Sequence, residues 1–495
     1  MKQLRIVLLF ISALLLCLHS EAHDDFEFNG VYYRLCDDGN SLIVCKKESG
    51  YKGHVIVPDS VFRDGKNYPV TAISTYAFAD CDELKSVSFE CKIKEIPQNC
   101  FERSHNIETI ELPEGIEYIR YEAFKNSGLK DINLPEGILE IEGHAFDGTN
   151  IEHIVLPGTL KGSGLGHWNF YRCPQLQSLA IPGSIIRLYI YTIRDCKRLK
   201  HIKLGEGLVF LDDTFYECDS LESLEIPSTV REIGESWYSY RIKHISVDSN
   251  NKWYDSRNDC NALIEKATNT LVLGCINTVI PENVTAIGAA FRKCEGLKTA
   301  YIPANIESLH SNAFGYNRLD SIIIQESNES IQFTNGTFNS NSHTEKGSDS
   351  TAKYLYLGRN VSSRGIPAFE EFPYLETLII GDHVDSLIMK GCNKYVNIHS
   401  QSQAPHPFIF MFGNDTEAVL GHATLHVPKG TRELYMATEG WKFFRTIIED
   451  TPSAISTSYI HNRGDDSVFN LQGQRIESTF RRGIYIQNGR KKVAK

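Results

Sequence analysis

The chain has 495 residues, of which 41% are hydrophobic and 23% charged, a composition typical of a folded globular protein. Its formal net charge of −11 argues against nucleic acid as the main partner, because phosphate binding needs a basic surface. The length exceeds what one compact core supports, so the sequence predicts either several domains or a repeat array.

Residues 1–22 form a predicted secretory signal peptide. Lys2 and Arg5 supply its positive start, an apolar run follows, and small residues up to Ala22 fit a cleavage site. The run is too short to span a bilayer as a helix. Cys17 offers lipidation as an alternative, but Leu16 stands where a lipoprotein signal has a small residue. The sequence therefore favours a secreted or outer-surface protein, cleaved near Ala22 and without a transmembrane helix.

Residues 23–69 are predicted to form an N-terminal cap, with strands at 28–33 and 42–44. Exported chains often carry disulfides, and Cys36 with Cys45 is one candidate pair. Sequence alone does not fix the connectivity.

From residue 70 onward one phrase recurs: an apolar strand ending in Pro, an Ile-Gly-like turn, then Ala-Phe and often Cys. Ile193 fills one slot in a series of aromatic anchors at Phe78, Phe101, Phe124, Phe146, Phe170, Phe215, Trp237, Phe291, Phe314 and Phe338. From Phe78 to Trp237 the steps are 23, 23, 22, 24, 23, 22 and 22 residues, a period in the range of leucine-rich repeats.

One unit illustrates the physical pattern. Ile110 lies between polar residues, as in a half-buried strand, and Pro113 ends the strand because it has no amide hydrogen. Ile116 and Ile119 continue the apolar lining, and Phe124 fills the interior where the coil closes. Neighbouring units should stack their strands about 4.8 Å apart as a parallel sheet on one face.

These phrases resemble the BspA-type leucine-rich repeat of surface and secreted proteins from host-associated Gram-negative anaerobes, over roughly residues 70–450. The resemblance implies a repeat solenoid that binds host matrix proteins or other cells. Some units depart from the pattern, with Ser104, Ser127 and Thr149 in the Cys position. The repeat geometry is least defined between about 325 and 420, where the polar segment 340–351 is a predicted loop.

An insertion near 248–280 also resembles this family, and its strands at Ala262–Glu265 and 271–273 predict a hairpin. Cys260 and Cys275 lie near its two ends and form the second candidate disulfide.

The array is predicted to end near 430–446 with a capping helix that carries Trp441 and Phe444. Residues 451–495 follow as a linker and a short basic β tail, which resembles the C-terminal sorting modules of exported proteins.

Catalytic and metal-binding motifs give no support for an enzyme. The sequence contains no HExxH, Walker or GxSxG motif, and it contains no CxxC pair. We therefore predict no catalytic residue, cofactor or metal. His153, His201 and His244 recur at the outward slot of a strand; a stacked column could bind a ligand or metal, but solvated side chains are the favoured interpretation. The repeated cysteines are predicted to be buried free thiols.

The outward sheet face is the predicted binding site. Strand alternation assigns to it Thr109, Glu111, Asp131, Asn133, His153, Ser178, His201, Lys203, Ser223 and Glu225. Mixed polar residues of this kind fit contact with an extracellular protein or glycan. The primary hypothesis is adhesion to host matrix proteins or other cells; the alternatives are a secreted glycan- or nutrient-binding protein and an unrecognised enzyme.

Overall fold

The computed structural model describes residues 25–450 except 163, 190, 213, 235–240, 335, 339–350, 364–368, 371, 391–394 and 413–415, together with the backbones of two strands at 483–487 and 490–494. The predicted signal peptide, Cys17, Trp237 and most of the predicted loop at 340–351 lie outside the described residues, as does most of the tail after residue 450.

The chain divides into two compact units, Met1–Cys218 and Asp219–Lys495. The strands of the first unit are β1 (Phe26–Phe28), β2 (Val31–Leu35), β3 (Leu42–Val44), β4 (Lys52–Val57), β5 (Ser60–Arg63), β6 (Lys66–Ile73), β7 (Glu83–Phe89), β8 (Glu95–Ile96), β9 (Thr109–Glu111), β10 (Tyr118–Ile119), β11 (Asp131–Ile132), β12 (Glu140–Ile141), β13 (His153–Val155), β14 (Phe170–Tyr171), β15 (Ser178–Ile181), β16 (Arg187–Leu188), β17 (Ile193–Arg194), β18 (His201–Leu204) and β19 (Phe210–Leu211).

Among its described residues, the second unit contains two α-helices besides its strands. Its elements are β20 (Ser223–Ile226), β21 (Glu232–Ile233), β22 (His244–Val247), β23 (Tyr254–Asp255), β24 (Ala262–Glu265), β25 (Thr270–Gly274), β26 (Ala286–Ile287), β27 (Thr299–Ile302), β28 (Ser308–Leu309), β29 (Ser321–Ile324), β30 (Ile331–Phe333), β31 (Tyr354–Leu357), β32 (Val361–Ser363), β33 (Phe369–Glu370), β34 (Thr377–Ile380), β35 (Ser386–Lys390), β36 (Asn397–Ser400), β37 (Ile409–Met411), α1 (Thr416–His422), β38 (Thr424–Pro428), α2 (Arg432–Ala437), β39 (Thr446–Asp450), β40 (Gly483–Gln487) and β41 (Arg490–Ala494).

Each unit contains a parallel β-solenoid, which confirms the predicted repeat fold. In the first unit β4, β7, β9 and β11 form one parallel sheet, and β8, β10 and β12 form another on a different side of the coil. In the second unit β27, β29, β31, β34, β36, β38 and β39 form a seven-stranded parallel sheet. Successive coils therefore place equivalent residues on neighbouring strands.

The interior of each solenoid contains a ladder of stacked anchor rings. Phe78, Phe101, Phe124, Phe146 and Phe170 are fully buried. Their successive ring centroids lie 5.1, 5.3, 5.4 and 5.7 Å apart, with planes within 11° of parallel. In the second unit Phe291, Phe314 and Phe338 stack in the same way, at 5.1 and 5.7 Å. The anchors predicted from the period are thus the contacts that join one coil to the next.

In three coils the residue three positions after an anchor donates a hydrogen bond to the anchor of the preceding coil. Cys173 donates from Sγ to the carbonyl of Phe146 at 3.2 Å, and Cys196 donates to that of Phe170 at 3.0 Å. Ser104 makes the equivalent bond from Oγ to the carbonyl of Phe78 at 2.5 Å. Ser104 thus replaces a cysteine without loss of this bond, whereas the buried hydroxyl of Ser127 has no hydrogen-bond partner. Burial raises the pKa of both the Cys173 and the Cys196 thiol.

Neither candidate disulfide is formed: Cys36, Cys45, Cys260 and Cys275 are all free thiols. In the antiparallel pair β2–β3, Leu35 lies opposite Leu42 and Tyr33 opposite Val44. This register separates Cys36 from Cys45 by four residues along the strands, roughly 13 Å at about 3.4 Å per residue. A disulfide needs Cα atoms within about 7 Å, so the predicted Cys36–Cys45 pair is wrong.

The two cysteines of the second pair, Cys260 and Cys275, are buried thiols. The Sγ of Cys275 contacts the carbonyl of Asn261 at 3.4 Å, whereas that of Cys260 contacts the carbonyl of Ala262 at 3.9 Å. The two thiols thus have separate backbone partners. Around them, β24 and β25 pair as antiparallel strands, after which β25 resumes the parallel array by pairing with β26.

The two predicted caps differ in detail from the sequence interpretation. The boundary expected at residue 69 falls inside β6, which pairs with both β3 and β5. The expected C-terminal helix is confined to α2, because Thr438 is extended and Gly440 has a φ of +87°. Trp441 begins a short 3₁₀ turn and is 2% exposed, with its Nε1 donating to the carbonyl of His406 at 3.0 Å.

Candidate functional site

The outward face of the first unit is built by strands in strict register. His153, Ser178 and His201 lie side by side on β13, β15 and β18, and Val155, Ala180 and Lys203 form the next row along the same strands. On earlier coils Thr109 lies opposite Asp131, and Glu111 extends the neighbouring row. Side chains two residues apart on a strand point to the same side, so these rows share one surface. Neighbouring strands on it lie about 4.8 Å apart.

The residues assigned to this face by strand alternation do point outward. Seven of those in the first unit are exposed, namely Thr109, Glu111, Asp131, Asn133, His153, His201 and Lys203, and Ser178 is half-buried. Ser223 and Glu225 are exposed on the second unit. Within the first unit, Glu111 and Asp131 carry negative charges and Lys203 a positive charge. Val155 adds an apolar side chain that is 71% exposed. The face therefore carries both acidic and basic side chains together with one exposed apolar side chain.

The three recurring histidines do not form a stacked column. Ser178 separates His153 from His201, and its Oγ lies 2.8 Å from Nδ1 of His153. In the second unit, Nδ1 of His244 lies 2.7 Å from Oδ1 of Asn261. Each of these two imidazoles therefore has a polar side-chain neighbour of its own.

A ladder of aromatic rings lies at the corner of the first unit and was missed by sequence reasoning. The ring of Trp168 stacks on His144 at 5.8 Å and contacts Tyr191 at 4.7 Å. Arg194 lies over the rings of Tyr191 and Tyr216, at 4.6 and 4.4 Å. We refer to His144, Trp168, Tyr191 and Tyr216 as the aromatic ladder.

Three of these residues share a left-handed backbone conformation. His144, Trp168 and Tyr191 have φ values of +58°, +60° and +65°. The same left-handed conformation occurs two positions before earlier anchors, at Tyr76, Asn99 and Glu122, so it belongs to the turn of the repeat. Each residue stands two positions before an anchor, so aligning the repeats on their anchors would have revealed the aromatic series.

The seven-stranded sheet of the second unit presents a row of tyrosine, isoleucine and histidine. Cross-strand register aligns Tyr301, Ile323, Tyr356, Ile379, His399, His426 and Ile448. Tyr301 donates from its hydroxyl to Gln325 at 3.2 Å, and Tyr356 donates to Glu326 at 2.5 Å. Burial, together with the carboxylate of Glu326, raises the pKa of Tyr356.

At the end of this row, His399 and His426 meet Asp450. Nδ1 of His426 lies 3.0 Å from Oδ1 of Asp450, and Nδ1 of His399 lies 3.5 Å from Oδ2. The two imidazoles stack with centroids 4.3 Å apart. Burial, and then the neighbouring His426, lowers the pKa of His399. No sequence motif signals this cluster, because its members lie on three separate strands within or beyond the segment where the period is stretched.

Comparison with known families identifies the repeat. The family model described as "BspA type Leucine rich repeat region" matches the chain over residues 66–165, 163–261 and 273–399, with six copies. The chain belongs to this family.

Solved structures similar to this BspA-type chain are leucine-rich-repeat proteins of bacteria. A leucine-rich cell surface protein from Faecalibacterium prausnitzii is 14% identical, with a TM-score of 0.42, covering 87% of this chain and 96% of its own. The pneumococcal vaccine antigen PcpA is 17% identical, with a TM-score of 0.41, covering 87% and 100%. A protein from Bacteroides ovatus is 15% identical, with a TM-score of 0.39, covering 86% and 99%. No curated protein matches the chain significantly. The assignment rests on the family model.

Membership in the BspA-type family agrees with what the structure shows of the chain. BspA-type proteins are bacterial surface or secreted repeat proteins and are typically non-enzymatic. Among the residues that the structure describes, no helix is long and apolar enough to cross a membrane.

Proposed function

We propose that this BspA-type chain is a non-enzymatic adhesion protein that is exported through its first 22 residues and binds an extracellular protein through the outward face of its first unit. The observation that carries the proposal is the register of β13, β15 and β18, which displays His153, His201 and Lys203 on one continuous surface. Solenoids use extended faces of this kind for binding. Host matrix proteins and the surface proteins of other cells are the partners that we expect.

The face has features of a protein interface. Its opposite charges, carried by Asp131 on one coil and Lys203 on another, favour one orientation of a partner. The exposed Val155 lies beside Ala180, and the two side chains offer an apolar contact to a partner. Polar rims around a small apolar centre are typical of transient protein complexes.

A binding panel tests the proposal. The exported full chain is applied to immobilised matrix proteins, to whole bacterial cells and to a glycan array, and saturable binding to a protein or a cell surface is expected. Binding to soluble glycans alone would contradict adhesion. Turnover of a panel substrate, abolished by a point substitution, would show an enzyme instead. Mass spectrometry of the same exported protein should find its N-terminus after Ala22 and no lipid on Cys17.

The aromatic ladder favours a second candidate function, the binding of a glycan. Aromatic rings offer flat apolar surfaces with polar edges, and Arg194 adds a hydrogen-bond donor beside Tyr191.

If a glycan binds to the ladder, we expect Trp168→Ala to weaken its binding at least about tenfold, equivalent to roughly 1.4 kcal/mol. Trp253→Ala is the matched control, because Trp253 is a 41% exposed tryptophan of the second unit. Titration of each purified variant with array-positive glycans measures the effect. Equal affinities for both variants would exclude the ladder as the glycan site.

A further inference from the structure

Three neighbouring strands of the second unit bring two imidazoles and one carboxylate to a single point. His399 on β36 lies directly opposite His426 on β38. His426 lies opposite Ile448 on β39, and Asp450 follows two residues later on the same side of that strand. The register of the sheet therefore creates the cluster from residues that are far apart in sequence.

The distances suit a shared cation. A ligand atom from each of His399, His426 and Asp450 lies within 4.8 Å of the others. Tetrahedral zinc, with bonds of about 2.0–2.1 Å to nitrogen and oxygen, holds its ligand atoms about 3.3 Å apart. The two ring planes are only 18° from parallel, so both imidazoles must tilt for their lone pairs to converge. The terminal torsion of histidine is broad, and adjustments on the order of 1 Å are accessible to it.

One atom of the cluster lacks the partner that its position demands. Nδ1 of His399 is buried and has no hydrogen-bond partner, although a carboxylate oxygen lies 3.5 Å away. Buried polar atoms are nearly always satisfied, and an exception points to a missing ion or water. The side chains of His399, His426 and Asp450 still retain 20%, 18% and 14% exposure, which leaves a path from solvent.

We propose that His399, His426 and Asp450 bind a divalent transition-metal ion of the zinc type, with at least one coordination position left for water or a partner's side chain. Two imidazoles and one carboxylate favour zinc, nickel or copper over magnesium and calcium, which prefer oxygen ligands alone. Bound metal links β36, β38 and the edge strand β39. It therefore stabilises this end of the seven-stranded sheet.

Calorimetric titration tests the site. The untagged full chain is treated with EDTA, dialysed and titrated with zinc chloride, with magnesium chloride as the comparison. We expect one zinc ion per chain, no saturable magnesium binding, and a higher melting temperature with zinc. His399→Ala, His426→Ala and Asp450→Asn should each weaken zinc binding at least about tenfold and remove the thermal shift. The double variant His105→Ala/His310→Ala removes two exposed imidazoles elsewhere and should bind zinc as the unmodified protein does.

Cobalt substitution makes the test independent of whether the variants fold. Cobalt bound by nitrogen and oxygen ligands gives visible d–d bands without a thiolate charge-transfer band, which separates this cluster from the many cysteines of the chain. Circular dichroism establishes which variants are folded. The proposal is overturned if the unmodified protein binds no zinc, if folded cluster variants bind it unchanged, or if cobalt shows thiolate ligation.

Discussion

Phe124→Ala should lower the free energy of unfolding by about 3–5 kcal/mol, the usual range for removing a buried phenylalanine. Phe124 is fully buried and stacks between Phe101 and Phe146, at centroid distances of 5.3 and 5.4 Å. Each coil of a solenoid contacts only its neighbours, so a cavity at one anchor weakens two interfaces at once. Urea unfolding followed by circular dichroism measures the loss.

Hydrogen exchange locates the same effect. Peptides covering residues 101–146 should exchange faster in Phe124→Ala than in the unmodified protein, because local opening there requires less free energy. Phe62→Ala is the matched control: Phe62 is 67% exposed, and its loss should change stability by less than about 0.5 kcal/mol. Similar losses for both variants would contradict the role of the anchor ladder.

Gly207→Ala is expected to destabilise the first unit through two separate effects. Gly207 has a φ of +121°, and an added Cβ would lie 1.9 Å from the carbonyl oxygen of Gly183. The backbone conformation opposes any side chain by about 1–2 kcal/mol. Forcing apart two turns in van der Waals contact adds about 1–3 kcal/mol. Thermal and urea unfolding of the purified variant measure the sum.

Gly115→Ala separates these two contributions. Gly115 also has a positive φ, +82°, but a Cβ there would meet nothing within 4 Å. Its replacement should therefore show the backbone effect alone. If Gly115→Ala were as destabilising as Gly207→Ala, the close approach of the turn at Gly183 would have no energetic importance.

Much of the fold can be predicted from sequence because each coil repeats one local pattern. Ile110 is buried between the exposed Thr109 and Glu111, as alternation predicts, and the anchors Phe78 to Phe170 all face the interior. The same alternation identified the exposed residues of the outward face. What these residues bind does not follow from the pattern, because exposure is common to binding and non-binding surfaces.

Features that depend on register between distant strands could not be predicted in this way. The Cys36–Cys45 pair looked plausible by proximity in sequence, yet the β2–β3 register separates the two residues. The cluster of His399, His426 and Asp450 exists only because β36, β38 and β39 align. The aromatic ladder differs from these features, because His144, Trp168 and Tyr191 stand at a fixed position before the anchors and an alignment of the repeats would reveal them.

The most direct test of the adhesion account compares two charge reversals against a protein ligand from the binding panel. Asp131→Arg alters the outward face, whereas Glu140→Arg alters β12, which belongs to the other sheet of the same unit. Surface plasmon resonance should give a Kd at least about tenfold higher for Asp131→Arg, equivalent to roughly 1.4 kcal/mol, and an unchanged Kd for Glu140→Arg. Equal affinities for both folded variants and the unmodified chain would contradict binding through this face.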